Sequence, residues 1–318
     1  MRIYKWMALI ALLPALLVLA GCGPSTPPWK EQALSALAKQ QEIKSYSFAG
    51  EARLKWGDFQ EDSLTNPITK SFSPMLSNGK LSWSGTASIE PLRLEAVLQS
   101  KSADSSTVVE LPFLINNNHL YVNIPLINQK DEYFSLDLAG LSELSGDAST
   151  FSTERLQSAM EVMATLSTKL FEAMDEKWFA QAESPEGSEF TLIEVRITDD
   201  NSTEITNALR EQWPSIIDYL GESGLLTDEQ ASDWKQAGSE SSLELGRFAV
   251  AVDSEGFVRD LSIHIELSTV TGGERKAHLV SAQQSYDRIN ETPAFTQDIP
   301  EVTKPLDDIL KLLIKGSK

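Results

Sequence analysis

Hydrophobic residues in this chain keep two beats, and the switches between them mark out its elements. Ala33, Leu34, Leu37, Ala38 and Ile43 recur at roughly helical spacing, which predicts an amphipathic helix from Trp29 to Ile43. The period then drops to two. Tyr46, Phe48, Ala52, Leu54 and Trp56 alternate with Ser47, Glu51, Arg53 and Lys55, as in a strand with one wet face. The same alternation predicts strands over 81–89, 92–98, 107–115, 120–124 and 133–138. Asn78-Gly79 and Asn116-Asn117-Asn118 supply residues that tolerate positive φ at hairpin turns.

A helical block then interrupts the strands. Leu156, Met160, Met163, Leu166, Leu170, Met174 and Trp178 fall at steps of three and four. That stripe predicts helix from Thr153 to Ala182, with Ser152 or Thr153 as the N-cap. A strand over 190–197 follows, then a second helical block over 203–220, in which Pro214 is expected to kink the helix or open a new one. Thr227-Asp-Glu-Gln230 reads as the start of a further short helix. Strands resume at 243–252, 257–267 and 276–286, the first two joined by the turn Asp253-Ser-Glu-Gly256. Residues 305–314 read as a short amphipathic helix. No internal repeat appears, and no linker follows Pro28. Residues 29–318 therefore read as one α+β domain, an antiparallel sheet with helical inserts near 153–182 and 203–237.

Composition narrows the function. With 41% hydrophobic and 23% charged residues, the 318-residue chain has the balance of a folded protein with a large core. Lys plus Arg total 27 against 46 Asp plus Glu, and the resulting charge of −19 repels phosphate backbones, so nucleic acid is excluded as a partner. The same charge excludes adsorption to anionic lipid through basic patches. A single cysteine permits no internal disulfide and no cysteine-based zinc site.

The N-terminal 22 residues carry an address. Arg2 and Lys5 precede an apolar run from Met7 to Ala20 that is short for a membrane span, needing ~20 residues, and that Pro14 interrupts. The run ends in Leu19-Ala20-Gly21-Cys22, which resembles the lipobox of bacterial lipoproteins. Small residues at 20 and 21 let an extended chain enter a signal peptidase, and the Cys22 thiol is the acceptor for a diacylglyceryl group. On this reading, residues 1–21 are a lipoprotein signal peptide and Cys22 is the lipidation site. The mature chain then keeps 25 basic against 46 acidic residues, a charge of −21. Residues 22–28, rich in Pro and small polar residues, form a tether. One acyl chain gives only reversible binding, so stable anchoring at the extracytoplasmic face of the cell membrane takes two or more.

Behind this lipobox, the element order resembles the half-barrel family of the lipoprotein carriers LolA and LolB, which includes mycobacterial lipid-binding lipoproteins. Two stretches carry the likeness. One is Ala38-Lys-Gln-Gln-Glu-Ile-Lys-Ser-Tyr46-Ser-Phe48; the other is Asp253-Ser-Glu-Gly-Phe257 with its strand and Tyr286-Asp-Arg-Ile-Asn290 leading to Ile299-Pro300. The resemblance implies a curved antiparallel sheet, an open half-barrel covered on its concave face by inserted helices. It also implies a lipid or other hydrophobic ligand held between sheet and helical lid. The helical stripe is where such a ligand is expected, because Met is flexible and polarizable and accepts variable apolar shapes. Met160, Met163, Leu166, Leu170, Met174 and Trp178 are accordingly the candidate lining residues. The same stripe equally fits ordinary packing of helix on sheet. The alternative function is then a non-catalytic structural or interaction module of the cell envelope with a filled core.

Catalytic signals are sparse. His264 shares the polar side of its strand with Asp260 and Glu266, the pattern of a solvated strand face, and His119 falls in a turn. No Gly-x-Ser-x-Gly elbow and no Gly-rich phosphate loop occur. Asp199-Asp-Asn-Ser-Thr-Glu204 has the composition of a calcium loop without its ligand spacing, and reads as a turn leading into a helix cap. The chain reads as non-enzymatic, with no cofactor and no metal.

Overall fold

The computed structural model describes residues 28–56, 79–101, 108–124, 132–138, 165–184, 187–223, 226–271 and 273–306. Cys22, Met160, Met163, the Asn78 turn position and the expected helix beyond Leu306 lie outside the described residues. Helix α1 (Trp29–Lys39) ends in a 3-10 turn, Gln40–Glu42, and leads into β1 (Ser45–Trp56). Then come β2 (Lys80–Ser88), β3 (Arg93–Lys101), β4 (Val108–Asn116), β5 (His119–Val122) and β6 (Tyr133–Asp137). Helix α2 occupies 165–172. It is followed by β7 (Phe179–Ala182), β8 (Thr191–Ile197), α3 (Ser202–Glu222) and α4 (Asp228–Glu240). The chain closes with β9 (Ser241–Val252), β10 (Val258–Thr271), β11 (Glu274–Asp287) and β12 (Thr303–Pro305).

The fold is α+β. The twelve strands of the described residues form one sheet, in the order β12-β6-β5-β4-β3-β2-β1-β11-β10-β9-β8-β7. Neighbours run antiparallel except β12, which lies parallel to β6. Early and late strands meet in the middle, where Ser47 of β1 sits opposite Asp287 of β11 and Trp56 opposite His278.

The period-two pattern predicted from sequence now defines one continuous face. Phe48 pairs with Tyr286 on one side and Gly85 on the other, and Gly85 with Ala96, which pairs in turn with Phe113. In the other direction Ala282 leads to Ile263, Phe248 and Val195. Cross-strand partners share a face, so this row and its parallels are apolar from β6 to β8. The helices make their main contacts with only part of it, at β7, β9 and β10. There Ala33 and Leu37 of α1, Phe171 of α2, Met174 just after it, and Ile205 of α3 close over Ile193, Val195, Phe248 and Val250. Sealing each such side chain contributes about 1.5–3 kcal/mol. Lys30 ties α1 to the end of α2, its ammonium donating to the Glu172 and Met174 carbonyls at 2.9 and 2.5 Å. These are the carbonyls a helix end leaves unpaired.

The opposite face of β2–β6 is crossed by the chain after β11. Arg288 and Asn290 take positive φ (50° and 60°) and turn the chain back under β1. Asn290 accepts from the Lys44 N–H at 2.7 Å, and its own N–H donates to the Ser45 carbonyl at 2.8 Å. Glu95, only 5% exposed, then accepts from the Thr296 and Gln297 N–H groups at 2.8 and 3.1 Å and from Arg93 at 2.8 Å. Arg93 also donates to the Gln297 carbonyl at 2.5 Å and stacks on Phe295. This strap delivers β12 to the sheet edge, where Ser135 and Thr303 hydroxyls meet at 2.7 Å.

One sequence expectation is corrected. Among the described residues the first helical block ends at 172, not 182. Asp175 accepts from the Lys177 N–H at 3.0 Å, forming a 3-10 turn, and Phe179 is released to pair with Val195 as an edge strand. Pro214 lies inside α3, which continues through it, so it does not open a new helix. Other expectations match, including the short helix that starts at Thr227, which the structure closes with a Thr227/Gln230 capping box, the Asn117 turn with φ 52°, and the Asp253 turn.

That last turn yields a pH prediction. Burial pulls the Asp253 carboxyl upward, but the Phe257 N–H and Arg259 outweigh it and hold the pKa below its ordinary value. A depressed folded-state pKa adds stability that is complete above the unfolded value of ~3.9 and lost as pH falls through the folded value. Asp253→Ala is expected to cost about 2 kcal/mol at neutral pH. Urea titrations of both proteins should show the difference shrinking as the pH falls below ~3.9 and gone once it is below the folded-state pKa.

Candidate functional site

The helix-covered half of the apolar face is sealed, with Ile193, Val195 and Val250 at 0% exposure. The other half differs. On β1–β5, Phe48, Leu54, Leu81, Trp83, Leu94, Leu98, Leu111, Phe113 and Leu120 are all only half-buried, and Val109 is 49% exposed. Among the described residues, this half leaves these large apolar side chains partly open, although Ile115, Val122, Phe134 and Leu136 beyond them are buried.

Its centre is built from two glycine–aromatic pairs. Gly50 lies opposite Trp83, and Phe48 opposite Gly85, so each aromatic has a neighbour without a side chain. A Cβ on Gly50 would fall 2.5 Å from the Trp83 ring, and one on Gly85 would fall 2.7 Å from the Phe48 ring. Each ring therefore lies down across the adjacent strand. The Trp83 indole N–H reaches over β1 and donates to Gln284 Oε1 of β11 at 2.6 Å, locking the ring flat. A buried or half-buried indole N–H needs such a partner. The result is a flat aromatic floor flanked by leucines. Tyr46 and Tyr286 stand at one end of it, with centroids 5.7 Å apart. Burial raises the pKa of both hydroxyls, and that of Tyr46 rises further through its neighbour.

The structure brings Leu170, Met174 and Trp178 of the helical stripe together in one core. Met174 is 1% exposed inside the sealed core, and Leu170 and Trp178 pack against that core, half-buried. Leu166 is half-buried on α2. His264 and Glu266 are exposed on the polar face, while Asp260 accepts from Gln283 at 2.7 Å. No group of three or more candidate metal ligands occurs among the described residues. His119 is exposed beside its hairpin and stacks on Tyr121. Asn201 organises the predicted turn, accepting from the Thr198 N–H at 2.8 Å and donating to the Arg196 carbonyl at 2.9 Å. Sequence reading missed Gly50, Gly85 and Gln284; the only signal for them was a glycine or glutamine interrupting an otherwise apolar alternation.

Two open pockets lie elsewhere. One of about 420 Å³ sits at the N-terminal end of α1, between Lys30, Leu34 and Glu176. The other, about 220 Å³, is polar and lies between the start of α3, Arg210 and the Glu244–Arg275 pair. Ser268 and Arg275 lower the Glu244 pKa, and with Arg210 and Arg275 beside it the pocket lining carries charges of both signs. Among the described residues no helix is long and apolar enough to cross a membrane. Compared with protein-family models the chain finds no match, and compared with curated protein sequences it finds none either.

Proposed function

We propose that this chain is an extracytoplasmic lipoprotein, anchored to a bacterial cell membrane through Cys22, that holds a lipid or other hydrophobic ligand without catalysing a reaction. In this reading the sheet is an open half-barrel. Its apolar side is the concave side, the helices cover one half of it, and the ligand lies on the other. One observation carries the proposal: the half-buried aromatic floor of Phe48 and Trp83 on β1–β5. A cluster of half-buried apolar side chains on one sheet face is a surface that a hydrophobic ligand would complete. The ligand site is thereby moved from the helical stripe to the sheet, since Met174 is spent on the sealed core. That same sealing favours the second reading, an envelope interaction module with a filled core.

Photolabelling separates the two. The full lipidated chain, held in phosphatidylcholine vesicles with a long-chain alkyl diazirine, is expected to take its label on peptides from β1–β4. Trp83→Asp is expected to lower that labelling about tenfold while circular dichroism stays unchanged, because a carboxylate on the floor opposes apolar contact. Labelling spread evenly over the surface, or unaffected in folded Trp83→Asp, would establish the filled-core module instead.

A further inference from the structure

An apolar groove orients a ligand only if a polar group marks one end, and Tyr46 and Tyr286 are placed to do so. Both belong to the apolar face, Tyr46 at the start of β1 and Tyr286 near the end of β11, beside Phe48. Their rings are tilted by 59°, and Tyr46 stands 5.7 Å from Phe48. Polar neighbours on this face are already paired. Trp83 donates to Gln284, and the Gln284 amide donates in turn to the Ser285 carbonyl at 3.0 Å. The two tyrosine hydroxyls differ: neither has a hydrogen-bond partner among the described residues, and neither is among the fully buried unpaired side-chain atoms, so both are open to an outside acceptor. Polar groups in apolar surroundings ordinarily find partners, and two adjacent phenols offer two donors to one acceptor.

Resting on the ligand-binding reading above, we propose that Tyr46 and Tyr286 anchor the carbonyl or carboxyl oxygen of a single-chain acyl ligand whose hydrocarbon lies over Phe48 and Trp83. From Ala87, opposite Tyr46, to Leu81, opposite Ala52, β2 runs roughly 20 Å, room for a long extended chain. Burial keeps both phenols protonated through the physiological range, so both remain donors. An acyl oxygen, which only accepts, complements them. A hydrocarbon terminus leaves both unpaired.

The test uses the full chain in phosphatidylcholine vesicles and three diazirine probes of equal chain length: a fatty acid, its methyl ester and the plain hydrocarbon. Half-saturating mole fractions for labelling of β1–β3 peptides are compared with those of the Tyr46→Phe/Tyr286→Phe double variant, whose rings preserve the packing. At least one acyl probe is expected to saturate about tenfold earlier than the hydrocarbon. The double variant is expected to lose that advantage and to keep hydrocarbon labelling unchanged. An advantage for the acid alone identifies a free fatty acid, and an advantage for the ester as well identifies an esterified acyl chain. Equal saturation by all three probes, or an advantage that survives in the folded double variant, overturns the anchor and leaves the groove standing. Absence of β1–β3 labelling by every probe overturns the groove and the anchor with it.

Discussion

Replacing Glu95 with alanine is expected to lower the free energy of unfolding by about 3–5 kcal/mol, because it leaves a largely buried cation without its counter-charge. Glu95 is 5% exposed and is the meeting point of β3, Arg93 and the strap. Its carboxylate accepts the Thr296 N–H at 2.8 Å, the Thr296 hydroxyl at 3.2 Å and the Gln297 N–H at 3.1 Å. Removing it strands both amides and an arginine whose Nε is already buried without a partner among the described residues. Glu95→Gln should cost less, since the amide oxygen can still accept from the strap while its NH₂ faces a donor. Urea unfolding of the full chain measures both. Hydrogen exchange at Thr296 and Gln297 should accelerate in the alanine variant well before exchange at Val195 does. A cost below about 1 kcal/mol, the worth of an exposed ion pair, would show that the carboxylate does not hold the strap.

The second large effect is expected at Gly85, where alanine should destabilise by about 3 kcal/mol or more. A Cβ there would sit 2.1 Å from the Glu95 carbonyl oxygen and 3.0 Å from the Ala96 Cα, both backbone atoms of the adjacent strand. Neither can rotate aside. The β2–β3 pair would have to separate, or β2 would have to bend away and lift Phe48 off its glycine. The same substitution at Gly50 meets only the Trp83 ring, a side chain, and should cost less while disturbing the floor more. Comparing the two by thermal unfolding and by alkyl-diazirine labelling distinguishes a folding glycine from a site glycine. Gly85→Ala with unchanged stability would mean that the sheet yields at this point.

Much of the sheet was legible because its signal is local. Tyr46-Ser-Phe48 and Leu81-Ser-Trp83 alternate strictly, and an alternating run with one wet face has few other ways to fold. The start of α4 at Thr227 was legible for the same reason, since its capping partners Thr227 and Gln230 sit three residues apart. What failed was long-range or coincidental. Met174 and Trp178 are four apart and extend a helical stripe on paper, yet the Asp175 side chain takes the Lys177 N–H and breaks the helix between them. β12 has three residues, one of them a proline, and exists only because the strap delivers it to β6. The aromatic floor was legible as two apolar residues and no more. Its flatness depends on the register that sets Gly50 against Trp83 and Phe48 against Gly85, and register between strands some thirty residues apart carries no sequence signature.

The central seam of the sheet sets an order of events for the newborn chain. β1 is made early, yet one of its two partners is β11, and the paired residues Ser47 and Asp287 are 240 positions apart. Until the last strands emerge, one edge of β1 has its backbone donors and acceptors bare, and contacts of such span form slowly. The hairpins β2–β5 and β8–β11 can assemble on their own, but the seam that joins them cannot close until synthesis is nearly complete. A chain crossing a membrane as it is made would therefore wait, half-built and with an open edge, longer than a protein whose sheet grows outward from its first strand. A holding chaperone would find its substrate in that interval.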